Sequence, residues 1–204
     1  MPTRSHRQTC GVARSMDLLG ERWTMLVVRE LLLGPKRFSD LQAALPGIST
    51  NLLSTRLQGL AAAGVAEPIR LPPPASVGAY GLTERGERLR PAVEALALWG
   101  FELLDPLAER REGYEARGSW LASTLAAATE VDPEADPLLV NLDVDGDRFT
   151  MRLGSGLVHV QHGASDAPDG ELSCSLPEFF GLAQGTSQAE DPAVGRLFAL
   201  LGTP

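Results

Sequence analysis

The sequence predicts an α+β protein with a mainly helical first half and a mixed second half. Apolar residues recur at three- and four-residue steps as far as about Glu109, which is the spacing of amphipathic α-helices. From Leu138 onward the pattern changes to the alternation that is typical of β-strands. Two separate hydrophobic cores are therefore expected.

Charge is divided in the same way as the hydrophobic pattern. Residues 1–60 hold eight basic and four acidic side chains, whereas residues 111–204 hold five basic and fifteen acidic ones. The formal net charge of −8 thus hides a basic first part, and affinity for phosphate depends on the local field. We expect domains over residues 1–109 and 119–204, joined by a charged, Gly-containing linker over residues 110–118.

Two helices are predicted at the start of the first domain, over Gly11–Leu19 and Arg22–Leu33. Gly20 separates them, and Gly34-Pro35 ends the second. Cys10 precedes the first helix, whose free amides favour a thiolate. It is therefore a candidate redox-active thiol; the alternative is a small, half-buried apolar residue.

A pair of short helices follows, with a turn at Leu45–Ile48. The first spans Phe38 to about Ala44, and Pro46-Gly47 prevents it from continuing. Ser49 is a predicted N-cap for the second helix, which runs to Ala63 and stops at Gly64. This arrangement is typical of a helix-turn-helix.

The second helix of this pair has two contrasting faces. Leu53, Leu57 and Leu60 share the side that should be buried. The opposite side carries neutral hydrogen-bonding groups, a composition suited to the major groove of DNA. Its members are Thr50, Asn51, Ser54, Thr55 and Gln58. The alternative interpretation is an ordinary polar surface helix.

Two short strands, Val65–Leu71 and Ala79–Leu82, are predicted next and are joined by a Pro-rich loop that forms a wing. Basic residues near the helix pair are expected to contact the DNA backbone and set position, not sequence preference. The candidate DNA-binding residues are Lys36, Arg37, Ser49, Thr50, Asn51, Ser54, Thr55, Arg56 and Arg70.

A long helix is predicted from the Thr83 cap to about Glu109, interrupted near Pro91. Apolar residues along it form a heptad-like stripe, which indicates a partner helix. The candidate dimer interface consists of Leu89, Val93, Leu96, Trp99 and Leu103. In the alternative interpretation the stripe packs on the chain's own core.

Several motifs between Cys10 and Trp99 resemble the HxlR-type winged helix-turn-helix transcriptional regulators. They are C-G-V-A-R-S-M-D-L-L-G-E-R-W-T-M-L-V-V-R-E-L-L-L-G-P-K-R-F-S-D-L, L-P-G-I-S-T-N-L-L-S-T-R-L, L-P-P-P and Y-G-L-T-E-R-G. The resemblance implies a repressor that binds double-stranded DNA as a homodimer formed by terminal helices. Because some members of that family sense oxidants or electrophiles through an N-terminal cysteine, it also implies a sensing role for Cys10.

The second domain is predicted to contain a helix over Trp120–Thr129, four strands and two further helices. The strands are Leu138–Asp143, Arg148–Leu153, Leu157–Gln161 and Glu171–Ser175, and the helices are Pro177–Ala183 and Pro192–Leu201. This pattern resembles sterol-carrier-protein-like domains, although the segment before the last helix is shortened to Glu190-Asp191. The resemblance implies a tunnel for a small apolar effector.

The candidate ligand pocket consists of Trp120, Leu125, Phe179, Phe180 and Phe198. In the alternative interpretation these side chains fill the core.

Other chemistry is not indicated. The D-V-D-G-D segment lacks the Gly and the final acid of a calcium loop, and His159 and His162 point to opposite faces of a strand, so no metal is expected. No nucleophile or phosphate-loop motif is present, and we expect neither an enzyme nor a cofactor. Without a signal peptide or a membrane span, a cytoplasmic location is expected. The competing function is a lipid-carrier or protein-interaction module with a purely structural winged helix.

Overall fold

A computed structural model of the chain describes residues 5–72, 76–103 and 114–201. The chain forms two units, residues 1–93 and residues 94–204. Residues 110–113 of the predicted linker, residues 110–118, lie outside the described residues, so the predicted domain limits remain predictions. Within the described residues, no helix is long and apolar enough to span a membrane, and no cluster of acidic, His and Cys side chains is arranged to hold a metal.

The first unit consists of helices around a two-stranded antiparallel sheet, followed by a helix that runs across the division between the units. The elements are α1 (Gly11–Leu19), α2 (Thr24–Leu32), α3 (Phe38–Ala44), α4 (Thr50–Ala62), β1 (Ala66–Arg70), β2 (Gly78–Leu82), α5 (Glu84–Glu87) and α6 (Arg90–Phe101). The register pairs Arg70 with Gly78 and Ala66 with Leu82. The order and pairing are those of a winged helix-turn-helix.

Helix α4 begins and ends where the sequence predicts. The Ser49 hydroxyl accepts a hydrogen bond from the Leu52 amide at 3.3 Å, and such a cap is worth about 1 kcal/mol. Gly64, with φ of +67°, ends the helix in a left-handed conformation that glycine adopts at little cost. The three predicted core leucines of α4 are fully buried. Local sequence therefore fixes both the length and the inward face of this helix.

Two helices differ from their predicted limits. Helix α2 starts at Thr24, not Arg22, because Trp23 takes a left-handed conformation with φ of +77°. The predicted long helix is interrupted near Pro91, as expected, between the end of α5 at Glu87 and the start of α6 at Arg90. Helix α6 ends at Phe101, and the predicted end near Glu109 lies outside the described residues. Pro91 lies in the first turn of α6. Proline is tolerated there because the first-turn amides have no helical partner.

The second unit is a four-stranded sheet with helices packed on it. Its elements are α7 (Gly118–Ala128), β3 (Leu138–Val144), β4 (Asp147–Gly154), β5 (Leu157–His162), β6 (Gly170–Cys174), α8 (Leu176–Ala183) and α9 (Pro192–Leu200). The strand order is β5-β4-β3-β6, with β3 and β6 parallel and the other pairs antiparallel. Asp145 and Gly146 both have positive φ in the predicted hairpin.

An aromatic chain fills the centre of the second unit. Phe179 lies edge-to-face with Phe149 and with Phe198, at centroid distances of 6.4 Å and 5.4 Å. These rings and Leu125 are buried, whereas Trp120 and Phe180 are partly exposed. The candidate pocket residues thus include core side chains that pack on one another. The sterol-carrier-like tunnel remains a prediction.

Candidate nucleic-acid interface

Helix α4 presents its neutral face to solvent. Thr50, Asn51 and Thr55 are exposed, and Ser54 is partly exposed. The Thr55 hydroxyl donates to the Asn51 carbonyl at 2.8 Å, and Gln58 donates to Ser54 Oγ at 3.4 Å. These contacts stay within the helix surface. The face remains flat and free of acidic groups, as insertion into a major groove requires.

Asn51 has the least restrained side chain of this face. Its amide makes no hydrogen bond to any part of the chain that the structure describes. A free carboxamide can bind the adenine edge through two hydrogen bonds. Thr50, in contrast, already accepts a hydrogen bond from Gln42 Nε2 at 2.9 Å. Gln42 of α3 was missed by the sequence analysis, although its polar position next to the turn was a visible signal.

Arg37 precedes α3 and remains half exposed, but it is paired. Its Nε and Nη2 donate to the two carboxylate oxygens of Asp40 at 2.8 Å and 2.7 Å. This hydrogen bonding raises the pKa of Arg37 and lowers the pKa of Asp40. Asp40 also accepts from the Arg37 amide at 3.2 Å and so caps the helix. If Arg37 contacts a phosphate, the Asp40 carboxylate already balances part of its positive charge.

Lys36 lies elsewhere than the prediction placed it. The residue is only 7% exposed, and its ammonium lies 3.7 Å from a carboxylate oxygen of Glu30, which is fully buried. Its backbone exchanges two hydrogen bonds with Tyr80 of the wing, at 3.0 Å and 2.8 Å. Sequence proximity to α3 suggested a phosphate contact. Tertiary packing instead directs this side chain into the interior.

Arg56 also differs from its expected role on the flank of α4. Its Nε donates to the Arg22 carbonyl at 3.0 Å, and its Nη2 donates to Glu21 Oε2 at 2.9 Å. The side chain is 17% exposed. The guanidinium therefore faces the connection between α1 and α2. Arg22 itself is exposed, 5.2 Å from the centroid of the Trp23 ring, and the sequence analysis did not select it.

The wing supplies the remaining predicted contact. Arg70 is exposed at the end of β1, and the Leu71 amide donates to the Val77 carbonyl at 2.9 Å to continue the hairpin. Residues 73–75 at its tip lie outside the described residues. The Arg70 side chain has no hydrogen bond or ion pair within the described residues, and its phosphate contact remains a prediction.

Cys10 is exposed at the N-terminus of α1. Hydrogen bonding from the Ala13 and then the Val12 amide lowers the pKa of its thiol. Arg7, Thr9 and Arg14 line the same open depression. The other cysteine, Cys174, belongs to the second unit.

The predicted dimer stripe is divided between two environments. Leu89 and Val93 pack against the core of the first unit. Leu96, Trp99 and Leu103 are 54%, 64% and 68% exposed. The dimer interface therefore remains a prediction, and only its second part lies on an exposed apolar surface.

These features define a winged helix-turn-helix protein in which the exposed face of α4 is neutral and free of acidic groups. Residues 18–108 match the model of the HxlR-like helix-turn-helix family. The HTH-type transcriptional regulator YvaP of Bacillus subtilis is 38% identical over 93 residues, which are 46% of this chain and 86% of YvaP. The chain belongs to the HxlR family of transcriptional regulators.

A second relative, the HTH-type transcriptional regulator YodB of Bacillus subtilis, is 33% identical over 92 residues, covering 45% of this chain and 82% of YodB. The structure of reduced YodB matches 48% of this chain and 98% of YodB, with 32% identity and a TM-score of 0.41. A quinone-bound form of YodB is also known. Cys10 precedes the residues that match the family model.

Proposed function

We propose that this regulator is a repressor that binds a palindromic duplex as a homodimer and reads it with α4. The free, exposed carboxamide of Asn51 on an acid-free helix face is the observation that carries the proposal. Ser54, Thr55 and Thr50 provide further hydrogen-bonding groups beside it. Arg37 and Arg70 position the protein on phosphates. Ser49 serves the interface indirectly, as the cap of α4.

The homodimer is supported by the apolar surface of α6. Leu96, Trp99 and Leu103 are exposed in the single chain, and a two-fold partner helix would cover them. Leu89 and Val93 instead connect this helix to the core of the first unit. Two-fold symmetry in the protein then matches two half-sites in the DNA. Occupying an operator in this way would block transcription.

Two inputs are proposed for the repressor. The first is the Cys10 thiol, because it is exposed and its pKa is lowered. A quinone, the class of compound bound in one YodB structure, is a suitable probe of it. The second is an apolar effector in the sterol-carrier-like unit, at Trp120 and Phe180 beside the buried Leu125, Phe179 and Phe198.

Substitutions on α4 and next to α3 test the mode of DNA reading. Asn51→Ala should relax preference at one base pair, costing on the order of 1–3 kcal/mol there, because a bidentate base contact is lost. Arg37→Ala should weaken all sequences alike. The measurement is binding to a duplex selected from random sequence and to its single-base variants. An Asn51→Ala protein that stays folded and keeps both affinity and preference would contradict the placement of α4.

The competing function is a lipid-carrier or protein-interaction module whose winged helix is only structural. A gel shift with duplex DNA separates the two functions, because such a module would not retard the DNA in a salt-sensitive manner.

A further inference from the structure

The connection between α1 and α2 contacts the helix-turn-helix at two points. Arg56 of α4 donates to the Arg22 carbonyl and to the Glu21 carboxylate, at 3.0 Å and 2.9 Å. The Trp23 ring lies beside Gly47 in the turn between α3 and α4, 3.9 Å from where a Cβ on Gly47 would lie. One short segment thus touches both the recognition helix and the turn that precedes it.

The same segment has a restrained conformation. Trp23 has a φ of +77°, which is rare for a bulky side chain, and such a residue persists only where its surroundings hold it in place. The Arg22 guanidinium lies over the Trp23 ring at 5.2 Å, and the Glu21 carbonyl accepts from the Thr24 amide at 3.0 Å. A segment held this firmly is a suitable reference point for orienting α4.

The charge of Arg56 is locally balanced. Its side chain is 17% exposed and is paired with Glu21, whose side chain is 50% exposed. A paired guanidinium of this kind releases few counterions when DNA binds. Partly exposed pairs also contribute little to folding stability. The arrangement therefore favours a role in geometry over a role in phosphate binding or overall stability.

We infer that Arg56 is a positioning residue, which sets the angle of α4 in the major groove by tying it to the Glu21–Trp23 segment. The inference rests on the proposed DNA-reading function of α4. Lysine cannot replace Arg56 fully, since it lacks the two-directional donor geometry of a guanidinium.

The test compares wild type, Arg56→Met, Arg56→Lys, Glu21→Ala and the double variant Glu21→Ala/Arg56→Met as full-length proteins. Each is titrated with a duplex that the wild type selects from random sequence and with a scrambled duplex of the same composition, over a range of salt concentrations. Arg70→Met is the matched control for a phosphate contact, because Arg70 is exposed, and it should lower the logarithmic salt slope by about 1 per protomer. Thermal unfolding monitors the fold of each variant.

Arg56→Met and Glu21→Ala are both expected to reduce the ratio of selected to scrambled affinity, by roughly 5- to 150-fold, the range of one lost bidentate base contact. Neither variant should lower the salt slope. The double variant should have the same affinity ratio as Arg56→Met, because both substitutions remove the same interaction between Arg56 and Glu21. Arg56→Lys should fall between wild type and Arg56→Met. If Arg56→Met fails to fold, Glu21→Ala decides, since it leaves Arg56 in place.

Two results would overturn the inference. In the first, Arg56→Met lowers the salt slope by about 1 but keeps the ratio of selected to scrambled affinity, and Glu21→Ala binds scrambled DNA more tightly than the wild type. This combination would show that Arg56 contacts a phosphate and that removing Glu21 frees it to do so. The other is wild-type behaviour in both variants. A wild-type protein that binds no duplex would instead contradict the proposed function itself, so the two failures are distinguishable.

Discussion

Glu30 is fully buried between two basic side chains of the first unit. Its Oε1 lies 2.8 Å from Arg29 Nη2, and its Oε2 lies 3.7 Å from Lys36 Nζ. Removing one member of a buried ion pair leaves the other charge without compensation. Lys36 also pairs through its backbone with Tyr80, so the cluster supports the base of the wing. Its role is structural, which explains why a residue selected as a DNA contact is inaccessible.

Glu30→Ala should lower the free energy of unfolding by roughly 3–5 kcal/mol, because the Lys36 ammonium would stay buried without its partner. Urea unfolding of the full chain measures this value. Glu67→Ala is the control, since Glu67 is an exposed acid on β1, and such surface changes usually stay within about 0.5 kcal/mol. Equal, small losses in the two variants would show that the buried pair contributes little.

The two cysteines should react differently with alkylating agents. Hydrogen bonding from the Ala13 and Val12 amides lowers the pKa of Cys10, whereas burial and nearby carboxylates raise the pKa of Cys174 to about 11. Because the thiolate is the reactive form, Cys10 should be modified at a lower pH than Cys174. Iodoacetamide rates followed by peptide mass spectrometry against pH test this expectation. A common midpoint for both thiols would refute it.

At the scale of elements, the limits and the buried face of α4 depend on residues that are close in the sequence. Ser49 and Gly64 define the ends of α4, and its leucine spacing defines its buried face, all of which the structure confirms. The left-handed Trp23 and the inward Lys36 depend on contacts with distant residues. The limits and the buried face of α4 could therefore be predicted from the sequence, whereas the side chains that hold this helix could not.

The surroundings of helix α6 also could not be predicted from the sequence pattern. The apolar stripe predicted one long seam, yet Leu89 packs on the core of the first unit and Leu96 does not. Sequence periodicity identifies an apolar face but not what covers each turn of it. Gly86 shows a similar dependence on distant residues, because a Cβ there would lie 2.1 Å from the Val65 carbonyl oxygen, so only glycine allows α5 this close approach.

Leu96→Glu should convert the proposed dimer to a monomer that binds one half-site weakly, because a charge would be buried in the seam. The fold of the single chain should survive, since Leu96 is exposed there. Sedimentation equilibrium gives the oligomeric state, and Leu157→Glu, the same change at a leucine of β5 that is 57% exposed, is the matched control. An unaltered dimer in Leu96→Glu would show that the dimer interface lies on another face of the protein.

At the scale of the whole molecule, charge is unevenly divided along the chain. Residues 1–60 carry a net charge of +4 (eight basic minus four acidic groups), and residues 111–204 carry −10 (five basic minus fifteen acidic groups). The first unit can attract phosphate while the second repels it. An acidic second unit with an aromatic core suits an effector role better than a DNA contact.

An apolar effector should remain bound during purification if the second unit has a ligand site. Native mass spectrometry of the full chain would then show an added mass, and a long-chain fatty acid should change operator affinity by roughly 5- to 150-fold, the range of typical allosteric coupling. Acetate is the control for the carboxylate alone. The alternative is a core without a ligand site, because Phe149, Phe179 and Phe198 pack on one another. A protein that retains no added mass, and whose DNA affinity does not change with the fatty acid, would establish this alternative.

The central claim is that this regulator reads duplex DNA through α4 as a dimer. The most direct measurement is the affinity of the wild-type protein for its selected duplex and for a scrambled duplex, from low to high salt. We predict clear preference for the selected duplex and a steep fall with salt, with a logarithmic slope of several units at about 0.9 per phosphate contacted. Equal affinity for both duplexes, or an affinity that does not change with salt, would contradict the claim.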